Sequence, residues 1–145
     1  MFVQDTQKWQ RIAYAKKKRS NGAKALFPIR MSRPKRNFPK RGEVWWINFD
    51  PSIGTESSKT RPAIIVSNDI SNEFLERIQA VPITSNITKV YPSETFVSVR
   101  GKKNKAAADQ IATVSKLRLG NKIGRITEGE LANLEFVVKL QLGLS

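Results

Sequence analysis

The sequence predicts a mainly β domain with helices, of the α+β class: a small barrel-like sheet closed by one C-terminal helix and preceded by a basic N-terminal extension. Three observations predict it. Short apolar or alternating runs recur between turn residues from Glu43 onward, the mark of short strands rather than helices. A capped helical stripe follows Thr127 near the end of the chain. Charge divides the chain near Arg41-Gly42: residues 1–41 hold thirteen basic side chains and one acid (net +12), and residues 42–145 hold thirteen basic and eleven acidic groups (net +2). At 145 residues the chain has room for one domain with a modest core.

The extension, residues 1–38, is expected to be partly helical or disordered. Trp9, Ile12, Ala13 and Lys16 share one helical face, and Ser20-Asn21-Gly22 breaks the pattern. Residues 28–41 place three prolines among basic side chains and should be extended or disordered. Two readings stand side by side: an arm that grips a phosphate backbone, or a solvated passenger with Met31 as an alternative start.

The domain, residues 39–145, begins with a strand over residues 43–49. Val44, Trp46 and Asn48 lie on one face, and Trp45, Ile47 and Phe49 on the other, as in a strand covered on both sides to different extents. Residues 62–67 read as a buried second strand, with Pro62 as its first residue. Residues 68–75 form a turn or a short helical piece. A third strand covers residues 77–84 and a fourth residues 94–100. Residues 102–105 read as a basic hairpin-like loop, leading to a fifth strand near residues 110–114. Thr127 and Glu130 fit a capping box, Leu131, Leu134, Val138 and Leu142 mark the helical stripe, and Gly143 suits the stop.

Composition limits the chemistry. The chain has no cysteine and no histidine, so disulfides, thiolate nucleophiles, zinc–thiolate sites and Ser-His or Cys-His pairs are excluded. A catalyst built here works with carboxylates, arginine, lysine and hydroxyls. No segment is long and apolar enough to span a bilayer, and the N-terminus lacks a secretory core, so a soluble, intracellular protein is expected. A net charge of +14 draws such a chain to polyanions.

Three polar clusters stand out. The loop DPSIGTESSKTRP, residues 50–62, places Glu56, Lys59 and Arg61 between two hydrophobic strands. Arg61, extended before a proline, can fork onto two phosphate oxygens, or it can simply pair with Glu56. Thr84 closes the third strand, followed by Ser85 and Asn86; it offers a hydroxyl at the sheet's end, or is there for β-propensity. Asp109 follows three alanines and is expected to be partly buried, or to act as a turn aspartate. None of these spacings suggests metal ligands, and no Walker-type glycine loop is present.

At these residues the chain resembles the MazF/PemK family of type II toxin–antitoxin toxins. KRGEVWWINFDP over 40–51, GTE over 54–56 and KTRPAIIVS over 59–67 resemble the family's N-terminal signature. VPIT over 81–84 resembles its second motif, and ADQI over 108–111, KLR over 116–118 and LGL over 142–144 follow in the family's order. The resemblance implies a small SH3-like, CcdB-type barrel that forms a homodimer. It implies a metal-independent, cofactor-free endoribonuclease that cuts single-stranded RNA at a short sequence, leaving 2′,3′-cyclic phosphate and 5′-hydroxyl ends. It implies a cytoplasmic protein neutralised by an acidic cognate antitoxin, the complex of the two reaching operator DNA.

By position, the resemblance makes Arg61 and Thr84 the main catalytic pair, with Glu56 and Asp109 as candidate bases if burial raises a carboxylate's pKa. Thr55 stands where a serine is often found. Thr55, Lys59, Ser85, Asn86, Gln110, Lys102 and Lys103 are the expected substrate-binding residues. The PemK-type arginine two residues before the acid is Ala107 here, and the histidine of that scheme is absent, so the arginine–threonine scheme fits better. The alternative is a catalytically silent nucleic-acid-binding regulator or a CcdB-like topoisomerase poison on the same fold.

Overall fold

The computed structural model describes residues 37–145; the expectations for the basic extension lie outside the described residues apart from its last two. Among the described residues, seven strands and two helices follow in the order β1 (Glu43–Asn48), β2 (Thr60–Ile65), α1 (Asp69–Phe74), β3 (Arg77–Thr84), β4 (Glu94–Val99), β5 (Lys102–Ala107), β6 (Ala112–Ser115), β7 (Leu119–Arg125) and α2 (Glu128–Leu142). Short 3-10 turns at Ala108–Gln110 and Lys116–Arg118 flank β6. All pairings are antiparallel, in the order β4-β5-β3-β2-β1-β7 with β6 also on β3. The result is a curled, half-barrel sheet.

Alternation along the strands makes two cores. Val44, Ile64, Val81, Ile83, Val97 and Ala106 face α2 and pack with Leu134 and Val137. Ile47, Phe49, Ala63, Ile65, Ile78, Ala80 and Val114 form the second core on the other face of the sheet. Each fully buried Ile, Leu or Val contributes about 1.5–3 kcal/mol. The inward and outward sets expected for β1 are observed, with Trp46 left exposed. β3 carries both halves of the curl. Its first half pairs β6 from Arg77 to Ala80, its last two residues pair β5, and Pro82 falls in the gap between these partners, where an N–H is not needed for a continuous ladder.

The structure corrects several expectations. Two strands were not foreseen. The basic run over residues 102–105 is part of β5, because it lies between β4 and β3 and turns at Arg100-Gly101, both with positive φ. Residues 119–125, with two glycines, an asparagine and a lysine, form β7 by pairing along β1, with register shifts near Trp45. In both, pairing outweighs weak β-propensity. The strand placed near Gln110 begins at Ala112, after the 3-10 turn. Pro62 is the third residue of β2, not the first.

The helical ends follow the sequence. Thr127 Oγ1 accepts from Glu130 N, Glu130 Oε2 accepts from Thr127 N, and Gly143 ends α2 in the left-handed region. Leu134 of the expected stripe is buried, Val137 joins it, and Leu142 is exposed. At the start of β1, Glu43 is buried and accepts from Lys122 Nζ (2.6 Å), Lys40 N (2.9 Å) and Trp45 Nε1 (3.0 Å). Burial pushes its carboxyl up, but these bonds outweigh burial and hold it below the usual carboxylate value.

Candidate functional site

Arg61 and Thr84 come from neighbouring strands. β2 and β3 pair antiparallel with Ala63 opposite Pro82 and Ile65 opposite Ala80. The paired register ends at Ala63 and Pro82; extended by two residues it would bring Arg61 opposite Thr84. Alternation places both on the face of Ala63, Ile65 and Ala80, away from α2. The expected alternative, an Arg61–Glu56 pair, is not formed. Arg61 Nε instead donates to the Ser58 carbonyl at 3.0 Å, and its two terminal nitrogens have no partner among the described residues. Thr84 Oγ1 accepts from Asn86 N at 3.2 Å, which leaves its O–H free to donate.

The two candidate carboxylates, Glu56 and Asp109, line one cavity, and neither Arg61 nor Thr84 is among the residues that line it. A cavity of about 490 Å³ is lined by Glu56 and Ser57 of the β1–β2 loop, Asp109 and Gln110 of the 3-10 turn, and Phe49, Val114 and Arg118. Glu56 is tied back into its loop, its Oε2 accepting from Ile53 N at 3.1 Å. Gln110 latches the loop to the turn: its Oε1 accepts from Ser57 N at 3.0 Å, and its Nε2 reaches the Thr55 carbonyl at 3.5 Å. Residues 55–58 are therefore held by Gln110 at one end and by the Arg61 guanidinium at the other. Both carboxylates are exposed. The partial burial expected for Asp109 is corrected, because the 3-10 turn buries Ala108 and points the next residue out. The burial that would suit either acid to act as a base is therefore not supplied by the domain itself.

The match to known proteins rests on this same stretch. Residues 40–142 match the family model of the PemK-like, MazF-like toxin of type II toxin–antitoxin systems. The chain belongs to this family. It is 41% identical over 114 residues to the endoribonuclease MazF9 of Mycobacterium tuberculosis, covering 72% of this chain and 97% of that protein. The crystal structure of MazF from Deinococcus radiodurans superposes with a TM-score of 0.67 at 28% identity, covering 74% of this chain and 98% of that one. A mycobacterial endoribonuclease in complex with its cognate antitoxin shares the fold, with a TM-score of 0.63 at 24% identity over 74% of this chain and 97% of that one.

Within this MazF/PemK-type domain the remaining candidates divide into two sets. Thr55, Ser85, Lys102 and Lys103 are exposed, and Lys103 Nζ lies 3.8 Å above the Phe96 ring. Lys59 and Asn86 have work within their loops. Lys59, at φ 62, donates its N–H to Asp50 Oδ1 at 2.7 Å, and Asn86 Oδ1 accepts from Thr88 N and Oγ1. Sequence reasoning gave no role to Arg118. Its Nη1 donates to the Asn48 carbonyl at 3.1 Å and to the Asp50 carbonyl, fixing the end of β1 at the cavity wall. About seventy residues separate these partners, so no local pattern marks the contact. Among the described residues, no helix is long and apolar enough to cross a membrane.

Proposed function

We propose that this MazF/PemK-type toxin is an endoribonuclease that cuts single-stranded RNA, mRNA included, at a short sequence, by attack of a 2′-hydroxyl on the adjacent phosphorus. One observation carries the reading: among the described residues the Arg61 guanidinium keeps two unpartnered nitrogens, on the strand next to the one that ends at Thr84, whose hydroxyl has no acceptor among those residues.

In the reaction, the 2′-oxygen bonds to phosphorus and the bond to the 5′-oxygen breaks, leaving 2′,3′-cyclic phosphate and 5′-hydroxyl ends. Charge builds on the non-bridging oxygens of the phosphorane. Arg61 forks onto them and Thr84 holds one, so the donors are in place before charge develops. Arginine stays charged at neutral pH and so serves as a stabiliser rather than a base. Glu56 or Asp109 takes the 2′-proton once bound RNA covers the cavity that the two acids line, and the acid so formed, or water, returns a proton to the leaving 5′-oxygen. This scheme uses neither metal nor histidine. Ser85, Asn86, Lys102 and Lys103 line the path of the strand beyond the cut.

The proposal extends to context: a cytoplasmic homodimer, silenced by an acidic cognate antitoxin through which the complex reaches operator DNA. The test is incubation with a long RNA in EDTA, followed by mapping of the ends. Discrete cuts with cyclic-phosphate ends support the reading. Retarded but intact RNA would instead support a silent binder on the same fold.

A further inference from the structure

Lys105 is the odd member of a basic run. In β5 the side chains of Lys102 and Lys103 are exposed, whereas Lys105 is buried, its side chain only 8% exposed. Its backbone pairs with Thr84 on one side and with Phe96 on the other. Its Nζ donates to the Lys89 carbonyl at 2.6 Å and forms an ion pair with Glu94 Oε2 at 2.9 Å, the Glu94 side chain being 10% exposed. Glu94 Oε2 also accepts from Tyr91 N at 2.8 Å, and Glu94 N donates to the Tyr91 carbonyl.

These contacts all bear on residues 85–92, the exposed loop that leaves β3 immediately after Thr84. The start of the loop is set by Asn86 N on Thr84 Oγ1 and by Thr88 on Asn86 Oδ1. Its end is set by Lys105 and Glu94. One residue thus fixes the backbone beside Thr84 through strand pairing and the far end of the loop through its ammonium. A buried ion pair is a poor source of net stability, since desolvation offsets the attraction. It does impose geometry, because an ammonium and a carboxylate this deeply buried have few other partners to turn to. A methionine would fill the same space at less desolvation cost.

We propose that Lys105 is a positioning residue for RNA cleavage: its buried ammonium holds residues 85–92 so that Thr84 meets the phosphate and one RNA sequence is preferred. This rests on the Arg61–Thr84 reading above. A misplacement near 1 Å at a reacting group costs up to about 100-fold in rate.

The test compares wild type, Lys105→Met and the pair Lys105→Met/Glu94→Gln on one long RNA in EDTA. The pair variant leaves no buried charge unpaired and keeps an acceptor for Tyr91 N. The expected result is an unchanged KM, a kcat lower by roughly 10- to 100-fold, and a wider spread of mapped cut positions. A folded variant with wild-type kcat and cut positions overturns the proposal while leaving the nuclease reading intact. A wild-type protein that leaves RNA whole sinks the nuclease reading, and this one with it. If neither variant folds, hydrogen exchange on wild type decides: slow exchange at the amides of Asn86, Thr88 and Tyr91 supports the proposal, and exchange at free-peptide rates overturns it.

Discussion

Replacing Glu43 tests how the first strand is anchored. The carboxylate is buried and accepts three hydrogen bonds, from Trp45 Nε1, Lys40 N and Lys122 Nζ. Glu43→Ala leaves the partly buried indole and backbone N–H groups without acceptors, at about 1–3 kcal/mol each. Lys122 is half exposed and returns to water, so its share is about 0–1 kcal/mol. The expected loss at neutral pH is about 3 kcal/mol. Glu43→Gln keeps an acceptor but loses the charge, for about 1–2 kcal/mol. The pH dependence has a definite sign. Burial raises this carboxyl's pKa and the hydrogen bonds lower it by more, so the folded value lies below the usual 4.5. The stability it contributes is fully present above about pH 4.5 and is lost as pH falls through the folded value. Urea unfolding of wild type and Glu43→Gln between pH 3 and 7 should give curves about 1–2 kcal/mol apart at neutral pH that converge on acidification. A constant gap over the whole range would refute the reasoning.

Other outcomes follow from the same structure. Gln110→Ala should cost only about 0.5–1.5 kcal/mol of stability, yet lower the rate of RNA cleavage by more than that loss accounts for, because residues 55–58 lose their latch. A thermal melt beside a cleavage assay checks this. Thr127→Ala removes the capping-box hydroxyl and should destabilise the domain by about 1 kcal/mol in chemical denaturation. Deleting residues 1–38, if that segment grips RNA, should weaken binding and flatten the slope of log affinity against log salt. Unchanged affinity across the salt series would make it a passenger.

The sheet was legible wherever apolar periodicity survives: β1 through β4, and α2 with its cap and stop. It was not legible at β5 and β7. Those strands are rich in Lys, Asn and Gly and exist because long-range neighbours pair with them. The candidate site shows the same division. Arg61 and Thr84 could be singled out by sequence, through resemblance more than through spacing, while their placement on neighbouring strands depends on the β2–β3 pairing. The burial of Lys105 could not be seen, because its sequence neighbours are solvated lysines and its partners, Lys89 and Glu94, come from another segment. Arg118 was hidden for the same reason, with its acceptors at the far end of β1. The missing histidine was informative: it leaves arginine, hydroxyls and carboxylates as the groups available for catalysis.

The most direct test of the central claim is the cleavage of one defined RNA by wild type and by Arg61→Ala in EDTA, with circular dichroism and sedimentation confirming that the variant stays folded and keeps its oligomeric state. The account predicts discrete cuts with 2′,3′-cyclic phosphate ends from wild type and a loss of at least 100-fold in rate for the variant, the scale of losing one preorganised donor to a developing oxyanion. Cleavage by folded Arg61→Ala at the wild-type rate and positions would contradict it.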